Sequence, residues 1–273
     1  EPAVALGPPA QGLLALPGKL LTLKHNVRYM GARNPGEILR LLPQGSGRIR
    51  PTPPRKKIAY VRPAASRVYF THRDMVQSQV SLTAPDEGLD PDQAVDYHFF
   101  QEYVGGGMGA LLFQEVREAR ALAYAVGGGY VEGNIKGEEN RVWGRLGCQA
   151  DKTVEAAELL ASLLRKPPVT AERFRDAARA IEEGYRTNPI HFRNLGSAVL
   201  RWQELGYPPG DPRLAQFKKA LAYTQEDLAR FAARFEGRPF SFCVLGHRDN
   251  VNLEGLKKLG NFQEMTLGQL FPY

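Results

Sequence analysis

The chain has 273 residues, 43% of them hydrophobic and 10% aromatic, which is ordinary for a globular protein and enough for one large domain or two small ones. No run approaches the roughly 18 uninterrupted apolar residues of a membrane-crossing helix, so no membrane span is expected. The formal charge of +7 comes from Lys and Arg interleaved with Asp and Glu; the densest cluster, Arg55-Lys56-Lys57, has no recognition motif beside it, so no nucleic-acid partner is expected.

Glu1 is not a methionine, as expected of a processed product or a piece of a longer protein. Residues 1–18, rich in Pro, Gly, Ala and Leu, lack the basic start and apolar core of a signal peptide, which in a fragment leaves the parent's compartment open. Asn26–Met30 reads as a short strand. Asn34-Pro35 opens a helix over Gly36–Leu42, since Asn caps and Pro suits the first turn. Residues 43–56 are a linker by composition, and residues 1–42 read as the tail of a preceding domain or an arm.

A regular pattern begins at Lys57 and defines a domain over residues 57–273. Lys57–Val61, Ser66–Phe70 and Gln77–Thr83 read as strands, the last alternating polar and apolar residues. Pro85–Pro91 reads as a turn and Asp92–Tyr103 as a helix with Val95, Phe99 and Phe100 on one side. A Gly-rich turn, Gly105-Gly106-Gly107-Met108-Gly109, leads into a second helix over Ala110–Ala119. Leu122–Val131 and Asn140–Gln149 read as strands. Lys152–Leu164 and Ala171–Tyr185 carry apolar residues at helical spacing. Helices are expected over Phe192–Leu205, Arg213–Leu221, Gln225–Phe235 (capped by Thr224, with Asp227 at its third position) and Leu253–Leu259. Phe240–Leu245 and Phe262–Thr266 read as late strands. Strands in two groups and helices in runs give an α+β class, a mostly antiparallel sheet packed against helices.

Cys148 and Cys243 both lie in apolar, strand-like runs and read as buried thiols, with a disulfide between them left open. There is no CxxC pair. The histidines His25, His72, His98, His191 and His247 form no His-x-x-Glu-His, and His98 with Glu102, one helical turn on, reads as an ion pair or capping pair before a metal site. No metal ligand is expected in this chain. The glycines at 105–109 lack the Gly-Lys-Ser/Thr of a phosphate loop and follow a helix where a dinucleotide fingerprint follows a strand, so they read as a tight turn between helices.

The stretch Val104–Val126, VGGGMGALLFQEVREARALAYAV, carries a Gly-rich turn, then Leu112-Phe113, Arg117-Glu118 and Leu122-Ala123-Tyr124-Ala125-Val126. It resembles the C-terminal half of the pitrilysin-type (insulinase-like) zinc metallopeptidases. The likeness continues through Phe240–Gly246 and the end of the chain, where the family's Gly-Asp is here Gly246-His247. It covers about residues 57–273, with Asn26–Leu42 resembling the end of the domain before.

That resemblance implies a clamshell around an unfolded peptide. Its zinc half, a partner domain or subunit, holds the metal through His-x-x-Glu-His, whose Glu is the general base. The non-zinc half supplies an Arg and a Tyr to bind substrate carbonyls and stabilise the oxyanion. Arg117 and Tyr124 match them, and Gly105, Gly106 and Gly107 would lie against the substrate. Without the resemblance, Arg117 reads as a solvated helix-end cation and Tyr124 as a half-buried strand residue. The alternative within the same fold is a non-catalytic scaffold or binding subunit. Either way, this chain alone is not expected to hydrolyse peptides.

Overall fold

The computed structural model describes residues 27–42 and 59–271, with scattered positions between 14 and 57. Contacts divide the chain into two compact units: residues 57–189 with 201–272, and residues 190–200 with the segment through residue 56 and residue 273. In the smaller unit, helix α1 (Pro35–Leu41) starts as the sequence implies, the Asn34 side chain accepting the Gly36 N–H at 2.8 Å. Val27–Met30 is not a strand; the chain there folds locally, the Arg33 N–H donating to the Tyr29 hydroxyl at 2.8 Å. Most of the linker expected over residues 43–56 lies outside the described residues.

In the larger unit, in chain order, the elements are β1 (Arg67–His72), β2 (Gln77–Gly88), α2 (Ala94–Gly105), a π-helix (Phe113–Glu118), β3 (Ala123–Val131), β4 (Glu139–Gln149), α3 (Thr153–Arg165) and α4 (Ala171–Thr187). Helix α5 (Leu195–Leu205) leads back into it, followed by α6 (Arg213–Leu221), α7 (Gln225–Ala233), β5 (Ser241–Gly246), α8 (Leu253–Lys257), β6 (Asn261–Glu264) and α9 (Leu267–Leu270). Among the described residues the strands form one six-stranded sheet in the order β3-β4-β2-β5-β1-β6. The β3-β4-β2-β5 part is antiparallel, as expected, whereas β5, β1 and β6 run parallel.

Alternation decides which face is covered. Ser78, Val80, Leu82 and Ala84 of β2 point inward while Gln77, Gln79 and Ser81 point out. Phe70, Val142, Leu146, Phe242 and Val244 continue the inner face, and α2 and α3 pack against the sheet. The core is aromatic: Phe99 stacks on Tyr223 with centroids 4.1 Å apart, and Tyr97 on Tyr130 at 4.8 Å.

Four readings are corrected here. Ala59–Val61 is not a strand: its neighbourhood is tied to β4 by side chains, the Tyr60 N–H donating to Glu139 at 2.5 Å and Arg141 donating to the Tyr60 hydroxyl at 2.6 Å. The expected turn at Pro85 is instead the end of β2, where a register shift between Pro85 and Gly88 tolerates a residue lacking an N–H. The second helix of the Gly-rich motif is π-helical over Phe113–Glu118. Finally, Cys243 is exposed while Cys148 is buried, and both are free thiols. They lie on opposite faces of strands separated by β2, Cys148 opposite Ser78 and Cys243 opposite Ser81.

Candidate functional site

Three departures from regular backbone converge around Arg117 and Tyr124. First, Arg117 sits in the last turn of the π-helix, whose end is closed by the Ala119 N–H on the Gln114 carbonyl at 2.9 Å. Such insertions are rare and frequently sit at functional sites. Second, Ala121 has φ +48°, the one positive φ at a non-glycine among the described residues. Its N–H donates to the Arg117 carbonyl and the Leu122 N–H to that of Val116, both at 3.1 Å, so the left-handed residue turns the helix end into β3. Third, Ala123 pairs with Cys148 and Ala125 with Gly147, leaving Tyr124 as the extra residue of a β-bulge.

The result is a paired display. The Arg117 guanidinium lies over two rings, its Cζ 4.7 Å from the Phe113 centroid and 5.1 Å from that of Tyr124. Contact with two aromatic rings restrains it, and the side chain remains partly exposed. Glu118 is the nearest carboxylate partner, at 3.5 Å, and the Arg117 side chain is 40% exposed. Tyr124 is 79% exposed, so its hydroxyl is presented to whatever faces this surface. It is not the half-buried strand residue that periodicity alone suggests.

The Gly-rich turn reaches the same strand. A Cβ at Gly105 would collide with the Gly128 carbonyl of β3, so this glycine is used for the close approach of α2 to the sheet. Gly106 and Gly107 are exposed, and Gly107 has φ +146° with open space where a side chain would stand. Beside Tyr124, between the starts of β2 and α3, opens a pocket of about 330 Å³ lined by Gln77, Arg120, Gln149 and Lys152.

A larger cavity of about 780 Å³ lies away from these residues, lined from α2, α4 and α6 by His98, Ile181, Tyr185 and Phe217 among others. His98 does not pair with Glu102. Its Nδ1 is 3.4 Å from the Tyr185 hydroxyl and its Nε2 3.8 Å from Glu132. Burial lowers the His98 pKa and raises those of Glu102 and Glu132, and it pushes the Tyr185 phenol up to about 12. His98, Tyr185 and Phe217 pack ring against ring between helices, and size alone does not make this cavity the reactive surface. Among the described residues no group of three or more His, Cys, Asp or Glu is placed to hold a metal ion.

Comparison with known proteins agrees with this fold. A family model described as the peptidase M16 inactive domain matches residues 27–180. Uncharacterized zinc proteases of Mycobacterium bovis and Mycobacterium tuberculosis are 38% identical over 77 residues, 28% of this chain and 17% of theirs. Among solved structures, the peptidase M16 inactive domain from Pseudomonas fluorescens aligns with TM-score 0.59 at 18% identity, over 77% of this chain and 49% of that one. A protease from Helicobacter pylori aligns with TM-score 0.60 at 15% identity, over 80% and 53%. The chain thus spans about half the length of these structures and a smaller part of the curated relatives. With more than half of its residues matched by the family model, the chain belongs to the peptidase M16 inactive-domain family, the C-terminal non-zinc domain of the pitrilysin-type metallopeptidases.

Proposed function

We propose that this chain is the substrate-contacting part of a zinc-dependent endopeptidase, with Arg117 and Tyr124 acting on the peptide while the zinc lies on another domain or subunit. The observation that carries the reading is the shared display: a restrained guanidinium and an exposed phenol side by side, at a π-helix end and a β-bulge.

Arg117 offers a planar fork of N–H donors suited to peptide carbonyl oxygens, and the Phe113 and Tyr124 rings limit its rotation before substrate arrives. Tyr124 offers one O–H donor. If that donor meets the oxygen that becomes negative as the carbonyl turns tetrahedral, its hydrogen bond strengthens in the transition state and lowers the barrier. The exposed Gly106 and Gly107, lacking side chains, would let an extended peptide run close to the turn. A zinc ion held by the partner half would supply the activated water. This chain's residues bind, orient and stabilise charge.

The test is reconstitution. The chain is mixed with a zinc-bearing half containing His-x-x-Glu-His, and cleavage of an unstructured peptide is followed with and without a chelator. Chelator-sensitive cleavage that requires this chain is expected. Absence of cleavage with every such partner would favour the scaffold reading.

A further inference from the structure

The pocket beside Tyr124 has a composition that the Arg–Tyr pair does not use. It is lined by the buried Leu122 and Cys148 and by Gln77 and Gln149, whose side chains carry amides. Two cations reach it, Arg120 and Lys152, against one lining carboxylate, Glu155. Lys152 is 3.3 Å from Glu155 and Arg120 is 3.0 Å from Glu115, with all four side chains partly exposed. Glu115 is shared, lying 3.5 Å from Arg173 as well, so Arg120 is not neutralised by a carboxylate of its own. Exposed pairs of this kind are weak and exchange partners readily. A volume of about 330 Å³ is at the small end of small-molecule sites, roughly 300–1,000 Å³, and suits one side chain.

We propose that this pocket is a specificity subsite for an acidic side chain of the peptide, next to the carbonyl that Tyr124 holds. The inference rests on the reading of Arg117 and Tyr124 above. An incoming carboxylate would take Lys152 from Glu155, share Arg120 with Glu115, and accept from the Gln77 and Gln149 amides. A lysine side chain would meet the same two cations with only Glu155 to receive it. A large apolar side chain would bury amide groups without partners.

The experiment uses the whole peptidase, this chain with its zinc-bearing half, and peptides that differ only in Glu, Gln or Lys at each position flanking the cleaved bond. One position is expected at which Glu is favoured over Lys about five- to tenfold in kcat/KM, the range of one or two exchangeable charge pairs. That preference should shrink as salt is raised and be cancelled or reversed in Lys152→Glu. Lys152→Gln, a milder change, should give a smaller shift in the same direction if the reversed charge prevents folding. Absence of an acid preference at every flanking position, or a Lys152→Glu effect equal for all peptides, overturns the subsite. Tyr124→Phe separates the two ideas. Normal turnover in that variant removes the underlying reading, whereas impaired turnover without an acid preference removes the subsite alone.

Discussion

Asp86 offers the sharpest test of how the sheet is held against the helices. It is fully buried near the end of β2, accepts from the Tyr130 hydroxyl at 2.8 Å and from Arg234 at 3.3 Å, and is ion-paired with Arg238 at 2.7 Å and with Arg234 at 3.2 Å. It therefore ties β2 and β3, the strand that carries Tyr124, to the segment after α7. Removing one partner of a buried ion pair costs about 3–5 kcal/mol. Here the Arg234 and Arg238 side chains are 21% and 26% exposed, so water recovers part of the loss. Arg234 also keeps Glu87 at 3.2 Å and Gln93 at 2.8 Å, and Arg238 keeps the Pro85 carbonyl at 2.9 Å. That places the ionic part of Asp86→Ala near the lower figure, about 3 kcal/mol. The Tyr130 hydroxyl, left without its acceptor in the interior, adds about 1 kcal/mol. The expected loss is about 4 kcal/mol, a large share of the roughly 5–15 kcal/mol that holds an ordinary domain. In urea denaturation the midpoint should fall with the slope unchanged. Asp86→Asn, which keeps an acceptor for Tyr130, should cost less than Asp86→Ala. A loss below about 1 kcal/mol would refute the reasoning, because it would place this network among solvated surface pairs.

Other expectations follow from single positions. Gly105→Ala should destabilise by about 1–3 kcal/mol, read as a lower Tm, because its Cβ would drive α2 off the Gly128 carbonyl. Ala121→Gly should raise stability by about 0.5–1 kcal/mol, since glycine holds φ +48° without the Cβ clash; a destabilised variant would mean that the left-handed turn is unstrained. In the native chain one thiol, Cys243, should react with an aromatic disulfide reagent, and Cys148 only after unfolding. Two thiols reacting at equal rates would contradict the assigned burial.

Much of this fold is legible because its helices obey one period over long runs. Val154, Ala157, Leu160, Ala161 and Leu164 mark α3 without any knowledge of its partner, and Thr224 with Asp227 forms the capping box that their spacing implies. The parallel β5-β1-β6 part was not legible, because β1 pairs with strands more than 160 residues later and nothing local records that choice. The exposure of Cys243 could have been read. In Phe240–Leu245 the apolar residues Phe240, Phe242 and Val244 alternate, which puts Cys243 with Ser241 on the other face.

The candidate site shows the same division. Arg117 and Tyr124 were legible from a motif, but the means of presenting them was not. A π-helix differs from an α-helix by one residue in a turn, and a bulge by one residue in a ladder, so neither changes composition or period enough to be seen. Phe113 has no evident role in the motif as a sequence, whereas in the fold the Arg117 guanidinium lies over its ring.

The most direct measurement is the kinetics of Tyr124→Phe in the reconstituted peptidase. This change removes one hydroxyl from an exposed ring and leaves the ring under Arg117, so folding and ground-state binding should be nearly untouched. A fall in kcat of about 100-fold or more, with KM little changed, is expected of a donor that acts on the developing oxyanion. A normal kcat, or a change confined to KM, would contradict the account.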